Sequence, residues 1–402
     1  MQVTITPSRA VGTVTAPPSK SMAHRALICG ALSGGSTIRG LAWSKDIEAT
    51  LHCLQAMGAQ IVPDGDTVKI GGIDPLHLPS DAVLPCNESG STLRFLLPLC
   101  MLCGQPVTLT GSQRLLERPL GVYEEICRQQ GIVLKKSATS VTVCGVLKPG
   151  DYTVRGDVSS QFITGLLFAL PLLQGDSRLT VTGGFESASY IDLTLSALRT
   201  FGISITREAD VFFIPGNQTY GDFDYTVEGD YSNAAFLDGF NLLNGDVKVF
   251  GLTPETLQGD RVYRDFYRQM AAGEKQFDLS DCPDLAPVLF ALSAAHGGAS
   301  FTGTARLRIK ESDRATAMAE EMAKFGIAVT VAENTVTVHP GRLQPPSQVL
   351  CGHNDHRIVM ALSLLCSVTG GTIDGAEAVA KSYPDFFDVI ETLQIGLKYH
   401  EA

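Results

Sequence analysis

Hydrophobic and polar residues follow a pattern that repeats about every 70 residues along this chain. In the first copy, an apolar run at Ala26–Leu32 predicts a buried helix that begins near Lys20, and Ser36–Arg39 predicts a short strand. A second helix is predicted over Asp46–Met57, and alternating stretches on both sides of Asp64-Gly65 predict a β-hairpin. The predicted unit is therefore helix, strand, helix and hairpin.

A glycine that ends the second helix of the unit recurs along the chain. These glycines are Gly58, Gly131, Gly202, Gly273, Gly326 and Gly396, at intervals of 73, 71, 71, 53 and 70 residues. They predict six units, and the short interval indicates that the fourth unit lacks most of its hairpin or replaces it with Glu274–Asp281. The later opening helices are predicted to begin near Ser91, Ser160, Ser232, Asp284 and Asp355.

Six units of this size predict an α/β (α+β) protein with two lobes of three units each. A change near Tyr225–Glu228 divides the lobes. We therefore expect an N-terminal lobe over residues 14–226 and a C-terminal lobe over residues 1–13 plus 227–402. The first strand, Gln2–Ile5, precedes the first unit and is expected to pair with the C-terminal lobe, so that the chain crosses between the lobes twice.

Composition and charge narrow the possible functions. The 402 residues are 44% hydrophobic and 18% charged, which is typical of a soluble globular protein, and no apolar run approaches the length that spans a bilayer. A net charge of −11 argues against nucleic acid or an anionic membrane as a partner. The ten cysteines lie mostly in apolar runs and no signal peptide is visible, which predicts reduced thiols in a cytoplasmic protein.

Basic residues stand near the starts of several predicted helices, where the helix dipole disfavours a cation by about 0.3–1 kcal/mol. They are Lys20, Arg25, Arg94, Arg114, Arg118, Lys310, Arg314, Arg357 and Lys381. A solvated basic surface would explain one such residue. A set of them at equivalent positions in an acidic chain indicates a site for small, strongly anionic substrates.

Carboxylates among these cations are candidates for proton transfer. Glu311 lies between two of the cations, and Asp284 opens an apolar helix, where a simple N-cap explains it equally well. His353 and His356 lie three residues apart without a third ligand at a recognisable spacing, so no metal site is predicted. The absence of GxxxxGK[ST], GxGxxG, GxSxG and HExxH removes support for nucleotide hydrolysis, dinucleotide redox chemistry, serine hydrolysis and zincin proteolysis.

Six segments then identify a family. They are Pro18-Ser19-Lys20-Ser21-x-x-x-Arg25, Leu116-Glu117-Arg118-Pro119-Leu120, Ser159-Ser160-Gln161, Lys310-Glu311-Ser312-Asp313-Arg314, Asn354-Asp355-His356-Arg357 and Lys381-Ser382-Tyr383-Pro384-Asp385-Phe386. Together they resemble the 3-phosphoshikimate 1-carboxyvinyltransferases, or EPSP synthases. The resemblance implies two inverse α/β barrel-like lobes hinged by two crossover segments. It implies transfer of the enolpyruvyl group of phosphoenolpyruvate to the 5-hydroxyl of shikimate 3-phosphate, with release of phosphate and without a metal ion or organic cofactor.

The resemblance also implies roles for individual residues. Contacts to shikimate 3-phosphate are implied for Lys20, Ser21, Arg25, Ser159, Ser160, Gln161, Ser187, Asp284 and Lys310. Contacts to phosphoenolpyruvate are implied for Lys20, Gly90, Arg114, Gln161, Arg314, Arg357 and Lys381. Asp284 would act as the base toward the hydroxyl, and either Glu311 or Lys20 would protonate the alkene carbon.

Two other functions stay open. The sister family that transfers enolpyruvyl to UDP-N-acetylglucosamine has the same fold, but typically carries Ala-Lys-Asn where this chain has Ser19-Lys20-Ser21. A non-catalytic anion-binding scaffold would not need Glu311 and Asp284 among its cations. We expect a cytoplasmic monomer. The stretch Glu88-Ser89-Gly90-Ser91 departs from the Asn-Ala-Gly-Thr of many EPSP synthases, a family targeted by glyphosate, which competes with phosphoenolpyruvate.

Overall fold

The computed structural model describes residues 1–184 and 187–400, and the chain divides into two compact units. The N-terminal unit is Pro18–Glu228, and the C-terminal unit is Met1–Pro17 together with Gly229–Ala402. Each unit has its own hydrophobic core. Within the described residues, no helix combines the length and the apolar character needed to cross a membrane.

The helices of the described residues are α1 (Lys20–Leu32), α2 (Lys45–Ala56), α3 (Gly90–Cys100), α4 (Gln113–Glu117), α5 (Gly121–Gln130), α6 (Ser160–Ala169), α7 (Ala188–Thr200), α8 (Tyr231–Leu242), α9 (Tyr263–Ala271), α10 (Ala286–Ala295), α11 (Arg314–Lys324), α12 (His356–Thr369) and α13 (Phe386–Thr392). The opening helices α1, α3 and α6 in one unit, and α8, α10 and α12 in the other, are buried along nearly their whole length. They are buried because most of their residues are apolar and these are distributed over all faces of the helix. Their starts match the predicted positions to within two residues.

The strands of the described residues are β1 (Gln2–Thr6), β2 (Val11–Thr15), β3 (Ser36–Arg39), β4 (Gln60–Asp64), β5 (Thr67–Gly71), β6 (Val83–Pro85), β7 (Val107–Thr110), β8 (Val133–Lys136), β9 (Ser140–Cys144), β10 (Asp151–Arg155), β11 (Ser177–Thr182), β12 (Thr206–Glu208), β13 (Val211–Ile214), β14 (Tyr225–Thr226), β15 (Asp246–Phe250), β16 (Gln276–Asp278), β17 (Ala299–Thr302), β18 (Val329–Val331), β19 (Thr335–Val338), β20 (Leu350–Cys351), β21 (Gly371–Asp374) and β22 (Gly396–His400).

Three small sheets surround the buried helices of the N-terminal unit, in the orders β14-β3-β5-β4, β6-β7-β9-β8 and β10-β11-β13-β12. The first two strands of each sheet are parallel and the others antiparallel. The predicted unit of helix, strand, helix and hairpin is therefore confirmed, with one edge strand added. The pattern did not predict these edge strands, because strands of two to five residues are too short to establish an alternation.

The C-terminal unit has two sheets of the same kind, β16-β17-β19-β18 and β20-β21-β1-β22, and a third with only β15 and β2. The fourth repeat thus forms no hairpin among the described residues, as the short glycine interval indicated. The stretch Glu274–Asp281 does not replace it, because its strand β16 pairs with β17 of the next repeat. Strand β1 pairs with β21 and β22, which confirms that the first strand belongs with the C-terminal half.

Where the chain crosses from one unit to the other, the last strand before each crossing pairs within the unit that the chain is leaving. Strand β2 precedes α1 but pairs with β15, and β14 precedes α8 but pairs with β3. Because β2 continues to Thr15, the boundary lies at Pro18 rather than at residue 14, and the second boundary follows Glu228 rather than residue 226. Each unit joins the two crossing segments by one backbone hydrogen bond, from Ser19 to Glu228 at 2.8 Å and from Asp230 to Pro17 at 2.7 Å.

Five of the six predicted helix-ending glycines adopt the left-handed conformation directly after a helix. They are Gly58, Gly131, Gly202, Gly273 and Gly326, with φ between 71° and 104°. The sixth prediction is wrong, because Gln394 (φ 68°) takes that conformation after α13. Gly396 instead begins β22, where a Cβ atom would lie 2.2 Å from Thr6 Oγ1.

Candidate functional site

Serine hydroxyls cap the three buried helices of the N-terminal unit. Ser19, Ser89 and Ser159 accept hydrogen bonds from the backbone N–H groups of Met22, Thr92 and Gln161. These caps satisfy free N–H groups without adding a negative charge. The positive ends of the three helix dipoles are therefore not neutralised by their own caps, which favours a bound anion.

Lys20 and Arg25 project from the first two turns of α1. The Lys20 ammonium lies 2.7 Å from Asp46 Oδ2 of α2. The buried Arg25 guanidinium donates to Thr194 Oγ1 at 2.9 Å and to the carbonyls of Ser21 and Tyr190 at 2.6 and 2.9 Å. Burial lowers the pKa of Arg25 to about 10, so it is still charged at neutral pH.

Gln161 connects the starts of α6 and α3. Its side-chain amide donates to Ser91 Oγ at 3.0 Å, and its carbonyl accepts from Arg94 at 2.7 Å. Arg94 is buried and also donates to the carbonyl of Pro119 at 3.1 Å. Arg94 had no assigned role, although it lies in the first turns of α3, as Arg25 does in α1.

The structure brings Arg118, rather than Arg114, to the start of α3. A Cβ atom at Gly90 would lie 2.5 Å from the Arg118 guanidinium, so any larger residue there would displace the guanidinium from this position. The Arg118 side chain is buried, whereas Arg114 lies on an exposed face of α4. In the sequence, Pro119 could have indicated this difference. A proline disfavours helical backbone at the residue before it, so α4 ends and the chain turns at Arg118.

Three predicted serines mark helix starts in the same unit. Ser159 and Ser160 begin α6, and Ser160 is buried. Ser187 precedes α7 with φ 57° and is also buried. The first turn of α7 carries the Tyr190 carbonyl that accepts from Arg25, so Ser187 lies in the chain segment that holds this arginine.

Aspartates take the equivalent positions in the C-terminal unit. Asp230 caps α8 through Asn233 N at 2.8 Å, and Asp355 caps α12 through Arg357 N at 3.0 Å. Asp284 lies in the single 3₁₀ turn that leads into α10. A carboxylate is stabilised at a helix N-terminus, and it offsets the positive end of the dipole.

A buried arginine joins three carboxylates in this unit. Arg314 is only 1% exposed and lies 2.9 Å from Asp355, 2.8 Å from Asp284 and 2.7 Å from Glu311. Arg357 donates to Asp284 Oδ2 at 3.1 Å and to the hydroxyl of Ser232. These contacts bring together Asp284, Glu311, Arg314 and Arg357, which the sequence analysis singled out.

Three cations face the Asp284 carboxylate, because the Lys310 ammonium also lies 3.2 Å from Oδ1. Burial alone would raise the pKa of Asp284, but Arg357, Lys310 and Arg314 hold it well below its usual range. Burial lowers the pKa of Lys310 despite its pairing with Asp284. The carboxylate is therefore ionised, and Lys310 releases a proton more readily than an exposed lysine.

Lys381 lies beside the same network, at the end of a 3₁₀ helix. Its ammonium donates to the carbonyl of Asn354 at 2.5 Å, one residue before Asp355. The predicted cations of the C-terminal unit thus contact one set of neighbouring residues.

His353 has potential metal ligands nearby that the sequence spacing did not indicate. The imidazole and the carboxylates of Glu320 and Glu321 offer ligand atoms within 4.8 Å of one another. The Lys324 ammonium contacts both Glu321 oxygens, at 2.9 and 2.8 Å. This ammonium supplies the positive charge that the carboxylate needs, so the group does not point to a metal.

Comparisons with known proteins agree over the whole chain. A family model described as EPSP synthase (3-phosphoshikimate 1-carboxyvinyltransferase) matches residues 5–390. The 3-phosphoshikimate 1-carboxyvinyltransferase of Clostridium kluyveri is 42% identical, with 97% of each chain covered. That of Clostridium botulinum is 39% identical, over 99% of this chain and 98% of the relative. A solved EPSP synthase from Acinetobacter baumannii matches with a TM-score of 0.78 and 25% identity, over 99% of this chain and 100% of its own.

Proposed function

This chain belongs to the EPSP synthase family, and we propose that it transfers the enolpyruvyl group of phosphoenolpyruvate to the 5-hydroxyl of shikimate 3-phosphate, releasing phosphate. The observation that carries the proposal is Asp284, held ionised by Lys310, Arg314 and Arg357, with Glu311 on the same arginine. A passive anion site has no use for carboxylates in that position. Their presence among cations supports an enzyme that moves protons between anionic substrates.

Shikimate 3-phosphate is assigned chiefly to the N-terminal unit. The proposed contacts are Lys20, Ser21, Arg25, Ser159, Ser160, Gln161 and Ser187, with Asp284 and Lys310 at the reacting hydroxyl. Three serine-capped helix starts and the two cations of α1 suit a phosphate, because N–H groups, hydroxyls and charges are all available.

Phosphoenolpyruvate is assigned to Lys20, Gly90, Gln161, Arg314, Arg357 and Lys381, and to Arg118 in place of Arg114. The replacement is supported by the burial of the Arg118 guanidinium beside Gly90. Arg114 is exposed, so water competes with a substrate for its guanidinium. Guanidinium groups suit the carboxylate and phosphate of this substrate, since each can donate two parallel hydrogen bonds.

The proposed chemistry proceeds by addition and elimination. Asp284 accepts the proton of the 5-hydroxyl while the hydroxyl oxygen bonds to C2 of phosphoenolpyruvate. Glu311 or Lys20 protonates the methylene carbon in the same step. The tetrahedral intermediate then loses phosphate, and the group that protonated the methylene carbon takes a proton back from the new methyl group, which restores the alkene. The cations stabilise the departing phosphate, because charge builds up on it in the transition state.

The remaining assignments are that the chain acts as a monomer in the cytoplasm and needs neither a metal ion nor an organic cofactor. A mass of one chain, about 42.9 kDa, in light scattering or sedimentation is expected for the first of these. A dialysis against a chelator that leaves the rate unchanged is expected for the last.

The test of the proposed function is phosphate release from phosphoenolpyruvate with each of two acceptors. We expect release with shikimate 3-phosphate and none with UDP-N-acetylglucosamine, and mass spectrometry should find the enolpyruvyl ether of the first acceptor. Release with the nucleotide sugar alone would assign the chain to the sister activity. No release with either acceptor would contradict an enolpyruvyl transferase.

A further inference from the structure

The loop between β20 and α12 has a demanding backbone. His353 and Asn354 both adopt the left-handed conformation, with φ of 48° and 51°. Two such residues in succession cost free energy unless the surrounding structure holds them, since neither is glycine. The loop leads into Asp355, the cap of α12 and a partner of Arg314, and the carbonyl of Asn354 accepts from Lys381.

One buried carboxylate holds the start of this loop. Glu321 of α11 is 1% exposed, and its Oε2 accepts from the backbone N–H of Cys351 at 2.9 Å. Its Oε1 lies 2.9 Å from His353 Nε2, and because a carboxylate can only accept, the imidazole donates from that atom. Lys324 completes the arrangement by contacting both oxygens and the carbonyl of Val349.

The charge of Glu321 is stabilised by these same contacts. Burial alone would raise the pKa of Glu321, but His353, Lys324 and the Cys351 N–H lower it below the usual value. The ionised carboxylate therefore accepts charge-assisted hydrogen bonds, which are stronger than neutral ones.

Helix α11 carries Arg314 in its first turn and Glu321 two turns later. The same helix thus contacts the loop twice, through Arg314 at Asp355 and through Glu321 at Cys351 and His353. We infer that Glu321 is a positioning residue for phosphoenolpyruvate binding, which fixes the Cys351–Asp355 loop so that Lys381 and Arg314 are held in place. This inference rests on the proposed function, because it takes Lys381 and Arg314 as phosphoenolpyruvate contacts.

The test compares Glu321→Gln with Glu320→Gln, an adjacent substitution on an exposed side chain of the same helix. The Glu320 carboxylate lies 3.9 Å from His353 Nε2, beyond hydrogen-bond distance, so its charge is matched but its hydrogen bond is absent. Glu321→Gln retains the shape of the side chain but removes its charge. We expect the KM for phosphoenolpyruvate to rise about tenfold, the size of effect that follows the loss of a hydrogen bond to a charged group. The KM for shikimate 3-phosphate should change less than twofold, and Glu320→Gln should match the wild type.

A second measurement separates positioning from simple loss of stability. In a Lys381→Met background, adding Glu321→Gln should raise the KM for phosphoenolpyruvate by a smaller factor than it does in the wild type, because one of the two residues through which it acts is already absent. If Glu321→Gln does not fold, His353→Asn tests the same contact, since asparagine tolerates the left-handed conformation. We expect it to raise this KM by roughly threefold, a weaker effect because the Cys351 contact remains.

The outcomes are distinct. The positioning role would be overturned if Glu321→Gln and Glu320→Gln had the same KM for phosphoenolpyruvate. It would also be overturned if Glu321→Gln raised the KM values for both substrates equally. Either result would leave the proposed function intact. A wild-type protein that does not release phosphate from these two substrates would reject the proposed function, and this inference with it.

Discussion

The two units present helix starts of opposite electrostatic character. In the N-terminal unit the caps are serines, and Arg25 and Arg94 are held largely by hydroxyl, amide and carbonyl oxygens. In the C-terminal unit two caps are aspartates, and Arg314 contacts three carboxylates. The first arrangement presents an excess of positive charge to an anion, whereas the second balances its charges within the protein.

The difference indicates a division of tasks. Cations held largely by neutral oxygens lose less when a phosphate binds, because fewer carboxylates compete with it for the positive charge. Cations held by carboxylates are fixed in position before a substrate binds, and their carboxylates are available for proton transfer. We therefore expect substitutions of the N-terminal cations to leave stability nearly unchanged, and substitutions in the C-terminal network to affect stability as well as activity.

The largest expected effect is on turnover, from Glu311→Gln in the C-terminal unit. Loss of a proton donor should lower kcat by about 10²–10⁴-fold. Isothermal titration should show both substrates binding within threefold of wild-type affinity, since Arg314 keeps its contacts to Asp284 and Asp355. Unchanged turnover would remove Glu311 from the mechanism and leave Lys20 as the proposed acid.

The matching change in the N-terminal unit is Lys20→Ala. We expect kcat/KM to fall about 10²–10³-fold, as for loss of one group that stabilises developing charge. Thermal unfolding should shift little, because the ion pair with Asp46 that is lost is partly exposed, and such pairs contribute little to stability. A large drop in Tm would instead make Lys20 a structural residue.

Stability should respond most strongly to Arg314→Met. Removing the buried guanidinium leaves Asp355 and Asp284 without a major partner, which should cost about 3–5 kcal/mol. Hydrogen exchange should localise the loss to the C-terminal unit. Arg268→Met removes an exposed ion pair with Asp265 and should change stability by less than about 0.5 kcal/mol.

Arg118→Ala and Arg114→Ala test which arginine serves the N-terminal unit. Because Arg118 lies at Gly90, its loss should raise the KM for phosphoenolpyruvate roughly 10–100-fold. Arg114→Ala should change the KM for phosphoenolpyruvate less than threefold, because Arg114 is exposed. The reverse order in steady-state kinetics would restore the assignment to Arg114.

The smallest expected effect concerns acid stability. Burial, with Lys20 and Arg25, lowers the pKa of His24 well below 6.5, and its Nδ1 lies 2.8 Å from Thr50 Oγ1. Below about pH 6.5, the unfolded chain therefore binds a proton that the folded chain does not. The free energy of unfolding should decrease by up to about 1.4 kcal/mol for each unit by which the pH is lowered.

The C-terminal unit should keep its stability to a lower pH than the N-terminal unit. Burial raises the pKa of Asp355 but Arg314 lowers it more, so the folded value is depressed, as it is for Asp284. The stability that these carboxylates contribute is present above their unfolded pKa of about 3.9 and is lost only below it. Hydrogen exchange at pH 7 and pH 5 should show the N-terminal unit weakening first, and His24→Asn should reduce that difference.

The sequence by itself determined the repeat, the buried opening helices, five of the six left-handed glycines and the family. These features depend on contacts between residues close in the chain, or on motifs with fixed spacing, so the pattern records them. The division of the chain between the two units was partly predictable, because approximate unit boundaries and the pairing of Gln2–Ile5 followed from the repeat count. The pairing of β2 with β15 and of β14 with β3 was not predicted.

Only the tertiary structure decided which cations lie together. Arg114 and Arg118 are four residues apart and chemically identical, but the turn at Pro119 buries one and exposes the other. The role of Arg94 and the contact of Glu321 with the Cys351–Asp355 loop likewise depend on segments distant in the chain. Burial and hydrogen bonding between distant segments leave no periodic trace in the sequence, which is why charge and spacing identified the chemistry but not every residue that performs it.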